Sequence, residues 1–131
     1  MQRPTTIRFR TSLYEDVSAI VQAEFAEDLS LDDLARRVAS SRRQLQRAFA
    51  EIGGTTFRAH LTTVRMDRAA DLLAERDLTV REVAQRVGYR QPAQFAKAFR
   101  RRHGSAPSAF RTQARFAASR NAAPAAALQA A

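Results

Sequence analysis

The chain of 131 residues contains no cysteine and no tryptophan, and only one of its 22 basic residues is a lysine. Without cysteine, neither a disulfide framework nor a thiolate site for zinc or an iron–sulfur cluster can form. No segment approaches the roughly 18 consecutive apolar residues that a membrane-spanning helix needs, and the N-terminus has no signal-peptide pattern. These absences favour a cytoplasmic protein with no segment embedded in a membrane.

Histidine is also scarce, since His60 and His103 are the only two. Neither has the spacing of metal ligands, and neither is part of a recognisable set of nucleophile and base. The pair Gly53-Gly54 is too short for a phosphate-binding loop and more simply ends a helix. The sequence therefore predicts no catalytic residue, no cofactor and no metal site, and the protein is not expected to be an enzyme.

Negative charge is missing from the end of the chain, because no acidic residue follows Glu82. Conversely, the stretch from Thr11 to Ala35 has no basic residue. The net charge of +9 favours a polyanionic partner, with nucleic acid as the first candidate and a membrane surface as the second. A genome rich in arginine codons would explain the preference for arginine over lysine, but it would not explain this segregation.

Apolar residues are unevenly distributed along the chain. Residues 1–12 are basic and irregular, which predicts a flexible arm or a linker. Apolar residues then recur at helical spacing from Leu13 to Leu29, and again from Phe57 to Ala74 in one long helix. The tail over residues 112–131 is rich in alanine with little to bury, and we expect it to fray because Pro124 interrupts any helix.

A cap and a hydrophobic staple occur twice, about fifty residues apart. In the first copy, Ser30 is the predicted N-cap and Asp33 its reciprocal partner, with Leu29 and Leu34 as the staple. The second copy repeats all four parts with Thr79, Glu82, Leu78 and Val83. One cap is a common motif, whereas the same cap and staple before two similar apolar patterns indicates duplicated architecture.

Each capped helix is followed by a break and a second helix. Ser41, with Gln44 as its reciprocal partner, begins the second helix of the first copy. In the second copy Gly88 ends a helix in the left-handed region, and Pro92 suits the first turn of the next helix. The predicted fold is all-α with about seven helices: a first helix-turn-helix subdomain over 13–54, a linker helix over 55–76 and a second helix-turn-helix subdomain over 77–111.

The second helix of the first copy has an outer stripe suited to DNA bases. With Leu45, Ala48 and Phe49 turned inward, its exposed stripe consists of Arg43, Gln46 and Arg47. Arginine pairs with guanine O6 and N7 and glutamine with adenine N6 and N7, and each such contact is worth about 1–3 kcal/mol in base discrimination. A solvated helix face is the alternative interpretation of the same pattern.

The corresponding helix of the second copy has fewer groups for base recognition. Phe95 and Phe99 turn inward and leave Ala93, Gln94 and Lys97 on the stripe. We therefore expect the first copy to supply most of the base specificity and the second copy to contribute more contacts to the DNA backbone. The predicted phosphate contacts are Arg42, Thr79, Arg90 and Arg101.

Taken together, these residues identify a resemblance to a known family. The segments Val80–Tyr89 and Phe95–Arg111, together with Leu45-Gln46-Arg47 and Arg65-Met66, resemble the C-terminal DNA-binding domain of AraC/XylS transcription regulators. The resemblance covers about Leu13 to Arg111. The chain departs from the family pattern at Ala39 and Ser40, which stand where the family usually has glycine and an apolar residue.

The resemblance implies two helix-turn-helix subdomains that place their recognition helices in successive major grooves. It implies that the six stripe residues named above contact bases, and that one chain binds promoter DNA as a monomer. A short single-domain regulator of the MarA/SoxS type would most often be an activator that contacts RNA polymerase. Two alternatives stay open: the DNA-binding part of a longer, ligand-controlled regulator, and a nonspecific nucleoid-like binder or protein-interaction module.

Overall fold

The computed structural model describes residues 4–130, with side chains described for residues 5–121. In this range the chain forms seven α-helices and no strand, which confirms the all-α prediction. Compact packing divides the chain into two units between Arg65 and Met66, inside the predicted linker helix. The helices are α1 (Pro4–Glu24), α2 (Leu31–Arg37), α3 (Arg42–Glu51), α4 (Phe57–Glu75), α5 (Val80–Arg86), α6 (Pro92–His103) and α7 (Pro107–Ala130).

The first unit has a core in which α1 packs against α3. Aliphatic side chains at helical spacing supply the α1 face, and the inward faces of α2, α3 and α4 close it. Burial of each such side chain stabilises the fold by about 1.5–3 kcal/mol. The buried residues are Leu13, Val17, Val21, Leu34, Ala35, Leu45, Ala48, Phe49 and Val64.

Phe49 lies at the centre of a group of rings in this core. Its ring centroid is 5.1 Å from that of Tyr14, 5.8 Å from that of Phe57 and 5.3 Å from that of His60. A Cβ atom at Gly53 would lie 2.6 Å from Cε2 of Tyr14, so only glycine allows the chain after α3 to approach this closely. The ring group therefore fixes both α3 and the turn that follows it.

The second unit has its own core. Phe95 and Phe99 of α6 have the positions in this unit that Leu45 and Phe49 of α3 have in the first. Phe95 and Phe99 are fully buried, and the Phe99 ring lies 4.5 Å from His103 and 5.2 Å from Phe110. His103 Nε2 lies 3.1 Å from the Met66 carbonyl oxygen. The remaining buried residues of this core are Met66, Ala69, Leu73, Val83, Ala84, Val87 and Pro107.

The predicted N-caps of α2 and α5 are confirmed. Ser30 Oγ accepts a hydrogen bond from the Asp33 N–H at 3.1 Å, and Thr79 Oγ1 accepts one from the Glu82 N–H at 3.0 Å. In α5 the Glu82 carboxylate accepts from the Thr79 N–H, which completes the reciprocal box. In α2 the predicted reciprocal bond is wrong, because the Asp33 carboxylate is paired with Arg36 one turn further along.

Only one of the two hydrogen bonds predicted for the cap of α3 is present. Ser41 Oγ accepts from the Gln44 N–H at 3.2 Å, as expected. The Gln44 side chain does not return to the Ser41 N–H, because its Oε1 accepts a hydrogen bond from the Ser40 hydroxyl at 2.5 Å. The reciprocal role of Gln44 is therefore wrong, and its side chain is held against the preceding turn.

The turns after α2 and α5 have the same backbone hydrogen bonds. Ser40 N–H donates to the Ala35 carbonyl at 2.8 Å, and Tyr89 N–H donates to the Ala84 carbonyl at 2.9 Å. Such bonds need a left-handed residue just before the donor. Gly88 provides it at a φ of 96°, as predicted, whereas in the first unit it is Ala39, at a φ of 53°.

Both ends of the chain differ from the sequence-based expectation. The irregular segment expected before Leu13 is wrong for residues 4–12, since α1 begins at Pro4, a residue whose missing N–H costs nothing in a first turn. The interruption expected at Pro124 is also wrong, because α7 continues to Ala130 through a segment rich in alanine, the best helix former. Residues 1–3 and 131, which belong to the expected arm and tail, lie outside the described residues.

Ala39→Gly is expected to raise the free energy of unfolding by up to about 1 kcal/mol, since glycine removes the strain of a left-handed alanine but costs some chain entropy. Urea denaturation measures the change. Ala50→Gly, an exposed position inside α3, is the matched control and should lower the stability by about 1 kcal/mol. Equal losses in both variants would contradict the strain at Ala39.

The burial of His60 predicts that the stability of the first unit depends on pH. Its Nε2 is buried without a hydrogen-bond partner among the described residues, and burial lowers the pKa of its imidazole. The unfolded chain then binds the proton more readily than the folded chain, so stability is full above pH 6.5, the ordinary value, and falls as the pH drops below it. Urea denaturation between about pH 7.5 and 5.5 should show this loss in the wild type and not in His60→Phe. His103→Gln is the control that keeps the loss, and an equal loss in His60→Phe would contradict the assignment.

Candidate nucleic-acid interface

α3 has one face buried in the first unit and the opposite face open to solvent. Leu45, Ala48 and Phe49 have no exposed surface. Three polar side chains, spaced three and four residues apart and so on one side of the helix, are exposed: Arg43, Gln46 and Arg47. The structure thus places the three predicted base-reading residues together on one exposed stripe.

Carboxylates pair with three of the five cations in the segment of α2 and α3. Arg37 donates two hydrogen bonds to Glu24, at 2.9 and 2.6 Å, while Arg36 pairs with Asp33. Arg42 at the start of α3 pairs with Asp32 at 3.4 Å. Among residues 5–121, no carboxylate pairs with the two remaining cations, Arg43 and Arg47.

The pairing of Glu24 with Arg37 shifts the pKa values of both side chains towards their charged forms. The hydrogen bonds from Arg37 lower the pKa of the Glu24 carboxyl below its ordinary value, and the same contact raises the pKa of Arg37. Both groups therefore stay charged at neutral pH. Their pairing joins the end of α1 to the end of α2 and takes Arg37 out of the set of cations free for an external anion.

α6 presents the second predicted stripe. Phe95 and Phe99 are buried, and the three side chains predicted to face outward are exposed: Ala93, Gln94 and Lys97. Pro92 stands in the first turn, as predicted, and the N-cap Gln91 makes no side-chain cap bond. The second stripe thus has one amide and one ammonium where the first has one amide and two guanidinium groups.

Counted from their N-caps, α3 and α6 have matching registers. Leu45 and Phe95 each lie four residues after the cap, as Ser41 and Gln91 are the caps. Gln44 and Gln94 then share a register. Of these two glutamines, the sequence predicts a base contact for Gln94, whereas it gives Gln44 the role of cap partner. The structure leaves the Gln44 amide exposed with its oxygen bound by Ser40, so it is a candidate polar contact that sequence reasoning did not propose. Alignment of the buried faces of α3 and α6 would have indicated Gln44 as the counterpart of Gln94.

The four predicted phosphate contacts lie in different surroundings. Arg90 and Arg101 are exposed, and no carboxylate in the described part of the chain pairs with either. Arg42 is paired with Asp32, and the Thr79 hydroxyl is engaged in the cap of α5. Next to Arg101, Arg102 donates two hydrogen bonds to Asp67, both at 3.1 Å, and this contact raises the pKa of Arg102.

Two arginines that sequence reasoning did not single out for this role fix the chain just before each helix-turn-helix. Arg65 of α4 donates to the carbonyl oxygens of Phe25 at 2.7 Å and Glu27 at 2.9 Å, after the end of α1. In the second unit, Arg111 of α7 donates to the carbonyl oxygens of Leu73 and Leu78. A guanidinium fork can satisfy two carbonyl groups at once, so each arginine positions the loop that leads into α2 or α5.

Within residues 4–130, no group of histidine and acidic side chains is arranged to hold a metal ion. In the same range, no helix is both long enough and apolar enough to cross a membrane.

Comparison with known proteins identifies the family. The family described as "Helix-turn-helix domain" matches residues 34–113, more than half of the chain. A crystal structure of an AraC-type DNA-binding regulator from Chromobacterium violaceum superposes with a TM-score of 0.75 at 27% identity, covering 79% of this chain and 92% of that one. The chain belongs to the AraC/XylS family of helix-turn-helix transcription regulators.

Two further relatives of this AraC-type domain are informative. The DNA-binding domain of AdpA, a global transcriptional factor solved in complex with a target DNA, has a TM-score of 0.74 and 35% identity, with 79% of this chain and 93% of that chain covered. Regulatory protein PocR of Salmonella typhimurium is 31% identical over 93 residues, which are 71% of this chain and 31% of PocR. The chain spans between 14% and 36% of the length of the curated relatives compared with it.

Proposed function

We propose that this AraC-type domain binds double-stranded promoter DNA by setting α3 and α6 into successive major grooves. Arg43, Gln46 and Arg47 contact bases from the first helix, and Ala93, Gln94 and Lys97 contact bases from the second. Support comes from the family, from the AdpA domain solved with its target DNA, and from the two exposed stripes.

The α3 stripe is the observation that carries this proposal. Its two guanidinium groups have no carboxylate partner among the described residues, and a helix with its opposite face buried can offer them to a groove. The major groove of B-DNA admits an α-helix, and arginine is the commonest bidentate partner of guanine. Gln46, between Arg43 and Arg47, supplies the matching pair of groups for adenine.

The α6 stripe contributes more to backbone binding than to base recognition. Gln94 is its one side chain with bidentate chemistry, while Ala93 can meet a thymine methyl group. Lys97, Arg90 and Arg101 are exposed and have no carboxylate partner within residues 5–121, which suits phosphate. We assign the phosphate contacts to Arg90, Arg101, Thr79 and Arg42.

One chain with two such helices can cover an asymmetric site as a monomer. Successive major grooves on one face of B-DNA are about 34 Å apart, one helical turn. A single continuous helix, α4, begins in the first unit and ends in the second. We therefore propose a monomer on DNA.

Activation of transcription through RNA polymerase is the regulatory role that we propose. α1 has exposed carboxylates at Glu15 and Asp16 with no ion pair in the described part of the chain, and such a face can meet a basic protein surface. Transcription in vitro from a promoter with the preferred duplex upstream should rise on addition of the protein. A fall would make it a repressor.

A longer regulator is a second candidate for the context of this domain. The curated relatives extend well beyond the part that this chain matches, so the same DNA-binding role can serve a protein with a separate effector domain. The two candidates share the proposed DNA contacts and differ only in whether a separate effector domain controls the protein.

Arg47→Ala is expected to weaken binding to the preferred duplex by about 1–3 kcal/mol and to relax the base preference at one position. Arg101→Gln is the matched comparison, because it should weaken binding to preferred and random duplexes alike and lower the slope of log K against log salt by about 0.9. Fluorescence anisotropy titrations at several salt concentrations measure both effects.

Ala50→Gly at the far end of α3 serves as a control for a general disturbance of this helix. If Arg47→Ala weakens binding equally on preferred and random duplexes, Arg47 contributes only to nonspecific binding. Base reading by the α3 stripe is then wrong.

A further inference from the structure

Of the three arginines predicted to contact phosphate, Arg42 is the one that pairs with a carboxylate in the described part of the chain. It is the first residue of α3, and its guanidinium lies 3.4 Å from the carboxylate of Asp32 in the first turn of α2. Both side chains are more than half exposed, at 59% and 58%. An exposed pair of this kind is weak and opens readily, so a phosphate can compete with the carboxylate for the same guanidinium.

The second unit has no counterpart of this pair. Arg81 stands two residues after the cap of α5, the position that Asp32 has in α2. Pro92 is the first residue of α6, the position that Arg42 has in α3. A cation and a proline thus replace the acid and the arginine, so the pairing is a property of the first unit and not of the repeated fold.

The other arginines of α2 and α3 fall into two groups, those paired with a carboxylate and those without such a partner. Arg36 and Arg37, like Arg42, are paired with carboxylates, whereas Arg43 and Arg47 on the stripe are not. Within α2 and α3, the positive charge that no carboxylate of residues 5–121 neutralises therefore lies on the two stripe arginines. The other three cations of these two helices are paired within the protein.

We propose that Asp32 is a positioning residue that limits DNA affinity by competing with the DNA backbone for Arg42. Arg42 reaches a phosphate only when it leaves Asp32, and the abandoned carboxylate then lies close to the negative backbone. The first unit consequently depends on its base contacts for binding more than the second unit does. This inference rests on the proposed function, because it needs the α3 stripe to enter a groove.

A double-mutant cycle tests the competition. Asp32→Asn should tighten binding to the preferred duplex about two- to fivefold, the range expected for release of an exposed ion pair, and steepen the slope of log K against log salt by up to about 0.9. In the Arg42→Gln background the same change at Asp32 should give almost none of this gain. The non-additivity, and not the gain alone, reports the contact between the two residues.

Asp28→Asn is the matched control for removal of one exposed negative charge, since Asp28 lies just before the Ser30 cap and pairs with no cation in the described part of the chain. Far-UV circular dichroism and urea denaturation establish that each variant is folded, and a purely structural role of Asp32 would change these readouts and not the salt slope.

The outcomes separate the two proposals. Suppose that the wild type binds its preferred duplex. If Asp32→Asn then changes the affinity as Asp28→Asn does, or raises it equally with and without Arg42, the competition is overturned and the proposed function stands. If the wild type shows no preferred duplex, the proposed function fails and this inference fails with it.

Discussion

Burial of one face of α3 and of α6 is the constraint on which the rest of the structure depends. Phe49 and Phe99 are fully excluded from solvent, each with a buried large side chain four residues earlier. The caps, the left-handed turns and the arginine contacts to the preceding loops all serve to hold these two faces in place. Because that side is fixed, only the opposite side can meet DNA, and its composition alone decides what each helix can bind.

Local patterns in the sequence predicted most of this fold, and long-range side-chain contacts account for what was missed. The caps at Ser30, Ser41 and Thr79 and the left-handed Gly88 follow from neighbouring residues, and all four occur. The reciprocal bonds of Asp33 and Gln44 failed because Arg36 and Ser40 compete for the same groups. The contacts of Arg65 and Arg111 could not be predicted, because they join residues 33 to 40 positions apart that meet only in the folded units.

The exposed stripes were predicted from the same periodicity, yet their electrostatic setting was not. Charge segregation along the chain indicated a polyanion as partner, but it did not show which cations are paired within the protein. Within α2 and α3 the structure pairs three arginines with carboxylates and leaves two unpaired, while the exposed cations from Arg81 to Arg101 have no carboxylate partner within residues 5–121. We therefore propose that two units with one backbone design bind DNA differently, the first mainly through bases and the second mainly through phosphates.

Selection of bound duplexes from a random-sequence pool will show whether the protein has two recognition helices with unequal base-reading chemistry. We expect two blocks of preferred bases centred about 10–10.5 base pairs apart, one strongly and one weakly specified. Repeating the selection with Arg43→Ala and Arg47→Ala combined should erase the strong block and leave the weak one. A single block, two equal blocks of which neither responds to these substitutions, or no enriched sequence at all would contradict this expectation.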